Sequence, residues 1–147
     1  MDIKRFPNKK AVEAQRDDLI RADLSDMDLS RIELRGANLS YADLSYAKLD
    51  GAIIPDANLE DAKLNDGNFS GANFSGADLS RSNLNRANFT KASLNGAYFG
   101  GAFMTQVILH DASLTATDFS RTRTFDNICK DYCKKCETVM NLWHKFR

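Results

Sequence analysis

Three cysteines are the residues of this 147-residue chain whose type and spacing best suit chemistry. Cys129, Cys133 and Cys136 stand at i, i+4 and i+7, so on a helix their thiols would lie within about 60° of one face. Thiolates bind soft metals, and His144 could add a nitrogen ligand. A single straight helix wraps four ligands around one ion poorly, whereas free cysteine often packs as a small apolar residue. We expect packing, and a metal or redox role is the third functional hypothesis.

Carboxylates are the second candidate for chemistry. Residues 17–66 carry 12 Asp and Glu against 5 Lys and Arg, whereas residues 67–121 carry 3 against 4. Asp18, Asp23, Asp28 and Glu33 recur at intervals of five within the acidic half. A row of carboxylates can imitate the phosphates of DNA for a cationic partner. A charged outer surface also keeps a protein in solution, so both interpretations stay open.

No catalytic motif accompanies these groups. His110 and His144 have no recognisable partner residues nearby in sequence, and no glycine-rich phosphate loop is present. Serine recurs as part of a regular pattern, so no single serine is marked as a nucleophile. The sequence therefore predicts a protein that is not an enzyme and that uses no cofactor.

The structural element that positions these residues is indicated by large apolar residues that recur every five residues. From residue 17 to residue 121, Leu, Phe, Ile or Met occupies every fifth position of twenty-one consecutive units. Ala, Gly or Ser stands two residues earlier in all but five units. Neither a helix nor a flat strand places residues i and i+5 on one face. A chain that turns one corner per unit does, and repeated corners produce a β-solenoid.

One large and one small residue per side should fill the narrow interior of such a solenoid. The predicted large interior positions include Leu39, Leu44, Leu59, Leu64, Phe69, Phe74, Leu79, Leu84, Phe89, Leu94 and Phe99, and the small ones include Ala37, Ala57, Ala77 and Ala97. The unit around Ile54 is the least regular. Pro55 is expected to remove one donor from the ladder of inter-coil hydrogen bonds.

The units ANFSG and ADLSR, residues 72–81, show the pattern A-(D/N)-(L/F)-S-x, which resembles the pentapeptide-repeat family. The resemblance implies an all-β solenoid, a right-handed quadrilateral β-helix of about five coils in which residues twenty apart stack. It also implies the alternative function, because some members are DNA mimics that bind type II topoisomerases such as gyrase. The first hypothesis is a non-catalytic protein-interaction scaffold with an unidentified protein partner.

Two flanks lie outside the repeats. Residues 1–16 are predicted to form an N-terminal cap with a short helix over Asn8–Arg16, and residues 122–147 an amphipathic C-terminal helix. Helical caps cover the open end of a solenoid. The spacing of apolar residues in the second flank suits helix–helix packing, which favours a homodimer at this end, with a monomer capped by its own helix as the alternative.

An outward band of apolar residues is the third candidate site. Tyr98, Phe103 and Ile108 occupy a position that is polar in most units. Apolar groups of this size, clustered at a surface, usually contact something. The proposed contact is the C-terminal helix or a second subunit, with Trp143 and Phe146 as anchors.

Composition limits location and partners. No apolar run approaches the ~20 residues of a transmembrane helix, and the first residues lack the apolar segment of a signal peptide. Three cysteines in such a sequence suggest reduced thiols. The sequence therefore predicts a cytoplasmic protein with no membrane association and no direct binding to nucleic acid.

Overall fold

Parallel β-bridges between residues twenty apart define the architecture. The computed structural model describes residues 5–123. Each bridge joins the residue before a large interior position to its counterpart twenty residues later, from Asp23 with Asp43 to Phe103 with Arg123. Four five-residue units therefore complete one turn. Within the described residues these bridges stay isolated, and no longer β-strand forms.

One helix, α1, covers the first coil. It spans Lys9–Ala14, and the Asn8 side chain accepts a hydrogen bond from the Ala11 N–H at its first turn. Phe6 and Val12 are fully buried with the first interior residues. This helix is shorter than the predicted range Asn8–Arg16. The predicted C-terminal helix lies outside the described residues, as do Cys129, Cys133, Cys136, Trp143 and Phe146.

The predicted interior is buried at every named position. All the large residues from Leu39 to Phe99 are 0% exposed, and the small alanines are at most 1% exposed. Rings twenty residues apart stack along the rod axis: Phe69 and Phe89 have centroids 4.9 Å apart, and Phe99 and Phe119 5.0 Å apart. Such stacking requires residues twenty apart to lie one above the other, which is also the period of the β-bridges.

Each corner is a tight turn with one residue in the left-handed region. The carbonyl of the large residue accepts from the N–H three residues later, as in the 3.0 Å bond from Ala22 to Leu19. The second residue after each large position has a positive φ, from Arg21 to Arg121. These features define type II turns, which favour glycine. Only six of these corners in residues 5–123 contain glycine, and fifteen carry other residues.

The backbone N–H groups of one unit divide among four kinds of partner. In the unit that begins at Ala42, the amides of Leu44 and Tyr46 donate to the next coil at 2.7 and 3.1 Å. The Asp43 amide donates to the previous coil at 2.9 Å, and the Ala42 amide closes the corner at 3.0 Å. The fifth amide, of Ser45, donates to the Asp43 side chain at 3.0 Å. The Asp or Asn of the repeat therefore satisfies a donor that the coils do not use.

The expectation for Pro55 was wrong. Pro55 occupies the position of the fifth amide, which donates to a side chain in units such as that of Ser45 and does not join the inter-coil ladder within residues 5–123. Ile53, the residue that would supply the acceptor, has none. This unit therefore lacks the donor and the acceptor together. Proline also suits this position of a type II turn.

The side-chain acceptor can be tested at Asn88, whose Oδ1 accepts from the Thr90 N–H at 3.0 Å and hydroxyl at 2.6 Å. Asn88→Ala should lower the free energy of unfolding by about 0.5–1.5 kcal/mol because both donors lose their partner. Asn88→Asp keeps the acceptor and should cost less. Urea unfolding measures both, and equal losses would contradict this role.

Packing at the small positions can be tested with two glycines. A Cβ at Gly67 would lie 2.6 Å from the Phe69 ring, which is held by its stack with Phe89. Gly67→Ala should therefore lower the free energy of unfolding by about 1–3 kcal/mol. At Gly100 the nearest atom to an added Cβ is 3.7 Å away, so Gly100→Ala should change stability by less than about 0.5 kcal/mol. Equal melting of both variants would refute this packing.

Candidate interaction surface

The apolar band is exposed as predicted. Tyr98, Phe103 and Ile108 expose 53%, 38% and 48% of their surface, on three successive sides of the rod. Their bridge partners one coil earlier are polar: Asp78, Asn83 and Asn88, respectively. The change from polar to apolar residues therefore affects three adjacent sides within one coil. Clustered exposure of this kind is typical of a contact surface.

The band replaces side chains that have a structural use. Asp78, Asn83 and Asn88 each accept a hydrogen bond from the backbone N–H two residues later, at 2.9 to 3.2 Å. Tyr98, Phe103 and Ile108 offer no side-chain acceptor there. In the second of these units, the Thr105 N–H donates instead to Asn85 Oδ1 of the preceding coil, at 2.8 Å. The band therefore gives up a local stabilising feature without gaining burial.

The end of the described chain adjoins this band. Arg123 forms a bridge with Phe103, and its guanidinium carbon lies 5.3 Å from the centroid of the Phe103 ring. Phe103 is still 38% exposed beside this cation–π contact. The flank predicted to cover the band starts at residue 122, so it includes Arg123, and its residues 124–147 lie outside the described range.

The predicted acidic site does not form one face. Asp18, Asp23, Asp28 and Glu33 belong to four successive sides of the first coil. Asp18 pairs with Arg5 at 2.5 Å. Oδ1 of Asp23 and of Asp28 accepts from the N–H and hydroxyl of the serine two residues later. Two of these carboxylates are thus part of the repeat's own hydrogen bonding, which sequence reasoning missed.

Cations from later coils neutralise other acids of residues 17–66. Asp43 pairs with Lys63 at 3.0 Å, and Asp66 pairs with Arg86 at 2.6 Å. Arg81 contacts both Asp61, at 2.8 Å, and Glu60. The acid and the cation of each pair are about twenty residues, or one coil, apart in sequence. A count of charges along the chain therefore does not show that they pair. The exposed negative charge is therefore smaller than the sequence suggests.

These contacts lower the pKa of three carboxyl groups, those of Asp28, Asp43 and Asp66. The hydrogen bond from Arg86 is the main cause that lowers the pKa of Asp66. The bond from the Ser30 hydroxyl is the main cause that lowers the pKa of Asp28. For Asp43, partial burial opposes the shift, but hydrogen bonds from Ser45 and Lys63 leave its pKa lowered. Each carboxylate is therefore favoured in its charged form by the fold.

A groove on one side of the rod was not predicted. Its floor is Gly100 and Gly101, and its walls include Arg81 one coil earlier and Arg121 one coil later. The signal in the sequence is two successive glycines at corner positions that carry Ser and Arg twenty residues away in both directions. That signal is visible only once the stacking period is known.

Within residues 5–123, no group of His, Cys, Asp and Glu could hold a metal ion. The candidate cysteines lie outside that range. No helix in the same range is long and apolar enough to cross a membrane.

Known proteins provide the comparison for this geometry. The family of pentapeptide repeats matches residues 18–54, 56–90 and 87–123, in 8 copies. No curated protein matches the chain. Among solved structures, the chain is similar to HetL, a pentapeptide repeat protein involved in heterocyst differentiation regulation from the cyanobacterium Nostoc sp. strain PCC 7120, with 26% identity and a TM-score of 0.53. That match covers 71% of this chain and 56% of HetL.

Two other structures show a similar chain. A pentapeptide repeat protein from the thylakoid lumen of Arabidopsis thaliana is 31% identical, with a TM-score of 0.49 over 75% of this chain and 70% of that protein. QnrB1, a plasmid-mediated fluoroquinolone resistance protein, is 18% identical, with a TM-score of 0.38 over 84% of each chain.

The lowered pKa values predict how stability depends on pH. Because the folded pKa of Asp66 lies below its unfolded value, its contribution is present above about pH 4 and is lost as pH falls. Arg86→Gln should therefore flatten the acid side of a plot of unfolding free energy against pH. Lys91→Gln, at the same corner position without an ion pair among residues 5–123, is the matched control. Parallel curves for wild type and Arg86→Gln would contradict this assignment.

Proposed function

Since this chain belongs to the pentapeptide repeat family, we propose that it is a non-catalytic protein-interaction scaffold. Proteins of the family form right-handed quadrilateral β-helices. We infer the same handedness and about five coils for this rod, because its bridges already join residues twenty apart. A rod of this kind offers fixed side chains at regular spacing and acts by binding. We propose the cytoplasm as its compartment.

The apolar band carries this proposal. Tyr98, Phe103 and Ile108 are large, exposed and adjacent in space around one coil. Aromatic side chains contribute much of the binding energy of protein interfaces. In the coil before, the same positions hold the Asp and Asn that stabilise the repeat. The exchange of these polar residues for Tyr98, Phe103 and Ile108 is explained if the three contribute to the binding of a partner and not to the stability of the rod.

We propose a second copy of the chain as the partner, joined at the C-terminal end. The apolar stripe from Cys129 to Phe146 is longer than one open coil end requires, since a helix of about 20 residues spans roughly 30 Å. Trp143 and Phe146 would serve as anchors, with Phe103 in or near the contact. The competing arrangement is a monomer whose own C-terminal segment covers the band.

A DNA mimic that binds gyrase is the alternative that the net charge of residues 17–66 suggests. The ion pairs of Asp43, Asp61 and Asp66 argue against it, because a cationic partner would have to displace Lys63, Arg81 and Arg86. A supercoiling assay with purified gyrase tests it. We expect no effect of the protein on supercoiling, and inhibition would favour mimicry.

The band can be converted to the polar residues of the preceding coil. The triple variant Tyr98→Asp, Phe103→Asn and Ile108→Asn supplies three side-chain acceptors, so its melting temperature should not fall. Light scattering should give a dimer for the wild type and a monomer for the variant. A matched control, Asp78→Asn, should remain dimeric with its acceptor intact.

Either of two results would contradict the dimer. The first is a monomeric wild-type chain, and the second is a triple variant that still dimerises. A version of the chain that ends at Arg121 tests the competing arrangement, a monomer whose own C-terminal segment covers the band. If the wild type is monomeric and this version is less stable, the C-terminal segment is a cap.

A further inference from the structure

The sequence contains a single Asn–Gly step, at residues 95 and 96. Asparagine is chemically labile, and a following glycine has no Cβ to shield its own backbone nitrogen. Attack of the Gly96 nitrogen on Cγ of Asn95 forms an imide ring and releases the side-chain nitrogen as ammonia, which carries away the amide proton. Water then opens the ring at either carbonyl. One product is aspartate, and the other is isoaspartate, in which the main chain continues through the former side chain.

The fold holds the side chain that would react. Asn95 Oδ1 accepts from the Thr115 N–H at 2.9 Å and from the Ser113 hydroxyl at 2.8 Å. Asn95 Nδ2 donates to the Ser93 hydroxyl at 3.3 Å. Ser113 stands where other units carry the Asp or Asn that accepts from the amide two residues later, so Asn95 supplies that acceptor from the preceding coil. The side chain is therefore part of the contact between two coils.

The peptide bond between the two residues is held by both neighbouring coils. The Asn95 carbonyl accepts from the Gly76 N–H at 2.9 Å, and the Gly96 N–H donates to the Thr115 carbonyl at 2.8 Å. Ring closure takes the proton from the Gly96 nitrogen and moves the Asn95 side chain onto it. The hydrogen bonds of both groups to Thr115 must therefore break first, which requires the coils to separate locally.

A second asparagine has the same inter-coil bonds but is not followed by glycine. Asn85 Oδ1 accepts from the Thr105 N–H at 2.8 Å, and the Asn85 carbonyl accepts from the Asp66 N–H at 2.9 Å. The Arg86 N–H donates to the Thr105 carbonyl at 2.8 Å. Both asparagines are half-buried. The Asn85–Arg86 step therefore separates the effect of the glycine from the effect of the fold.

We propose that Asn95–Gly96 is a covalent modification site that the stacked coils keep closed and that unfolding opens. Once the coils separate, Asn95 deamidates and Asn85 does not. The aspartate product keeps an oxygen that can accept from the Thr115 N–H. The isoaspartate product adds one methylene group to the main chain, which shifts every later residue against the coil on which it stacks. Unfolding of this part of the rod therefore becomes irreversible with time, because the unfolded chain is chemically modified.

Mass spectrometry of tryptic peptides measures both sites in one sample of the full chain. In mildly alkaline buffer, Asn95 should deamidate at least about tenfold faster in unfolding guanidinium chloride than without it, since the native chain reacts only through rare openings. Asn85 should react far more slowly than Asn95 in the unfolded chain. Equal rates at Asn95 in the native and the unfolded chain would overturn the proposal, as would equal rates at the two asparagines after unfolding.

Gly96→Arg converts the step into one of the Asn85 type. The nearest atom to an added Cβ is the Gly76 nitrogen, at 4.0 Å, and Arg86 adopts a φ of 61° at an equivalent corner. Deamidation of Asn95 in the unfolded variant should fall to the rate of Asn85. This measurement does not depend on how well the variant folds. An unchanged rate would show that the glycine does not open the site.

Refolding after timed exposure to guanidinium chloride tests the consequence for the rod. Gel filtration separates chains that refold from those that do not, and enzymatic methylation detects the free α-carboxylate of isoaspartate. Isoaspartate should collect in the fraction that fails to refold. The matched variant Asn95→Asp keeps the main-chain length and should fold with a melting temperature near that of the wild type. Isoaspartate spread equally over both fractions would contradict the proposed irreversibility.

Discussion

The rod depends on one scheme that distributes the backbone N–H groups of a five-residue unit among four kinds of partner. Two amides bond to the next coil, one to the previous coil, one closes the corner, and one turns outward to a side chain. The last of these explains why Asp or Asn precedes the large residue, since its oxygen reaches the amide two residues later. It also explains why proline is tolerated at residue 55, where no donor is needed. The hydrogen-bonding scheme thus explains the Asp or Asn of the repeat, whereas the large and small interior residues follow from packing.

The interior could be predicted from the sequence because a narrow space allows one large and one small residue per side. Leu79 and Ala77 are buried for that reason, and the period alone identified them. The left-handed backbone conformation at the corners was not predicted. Type II turns favour glycine, yet Tyr41 and Lys91 adopt φ of 61° and 59° there. The inter-coil hydrogen bonds hold these residues in a conformation that their own preferences oppose.

Surface charge was harder to predict than the core. The acids of residues 17–66 outnumber the cations of that segment, but Lys63, Arg81 and Arg86 stand one coil later and pair with Asp43, Asp61 and Asp66. Charge on a solenoid is organised in columns twenty residues apart, so neighbours in space are distant in sequence. Once the stacking period is known, the same columns can be read from the sequence, and each pair follows from its register.

The coil around residues 98–108 departs from the preceding coil at its outward positions. Tyr98, Phe103 and Ile108 replace the side chains that accept from the outward amide in that coil, and Gly100 and Gly101 replace the serine and arginine of neighbouring coils. Departures of this kind from the local rules of a fold are typical of places where a protein binds something. The acceptors were not exchanged for core packing, because the three replacing side chains are 38% to 53% exposed. The exchange therefore costs the repeat hydrogen bonds and adds exposed apolar surface, which a contact with another surface would compensate.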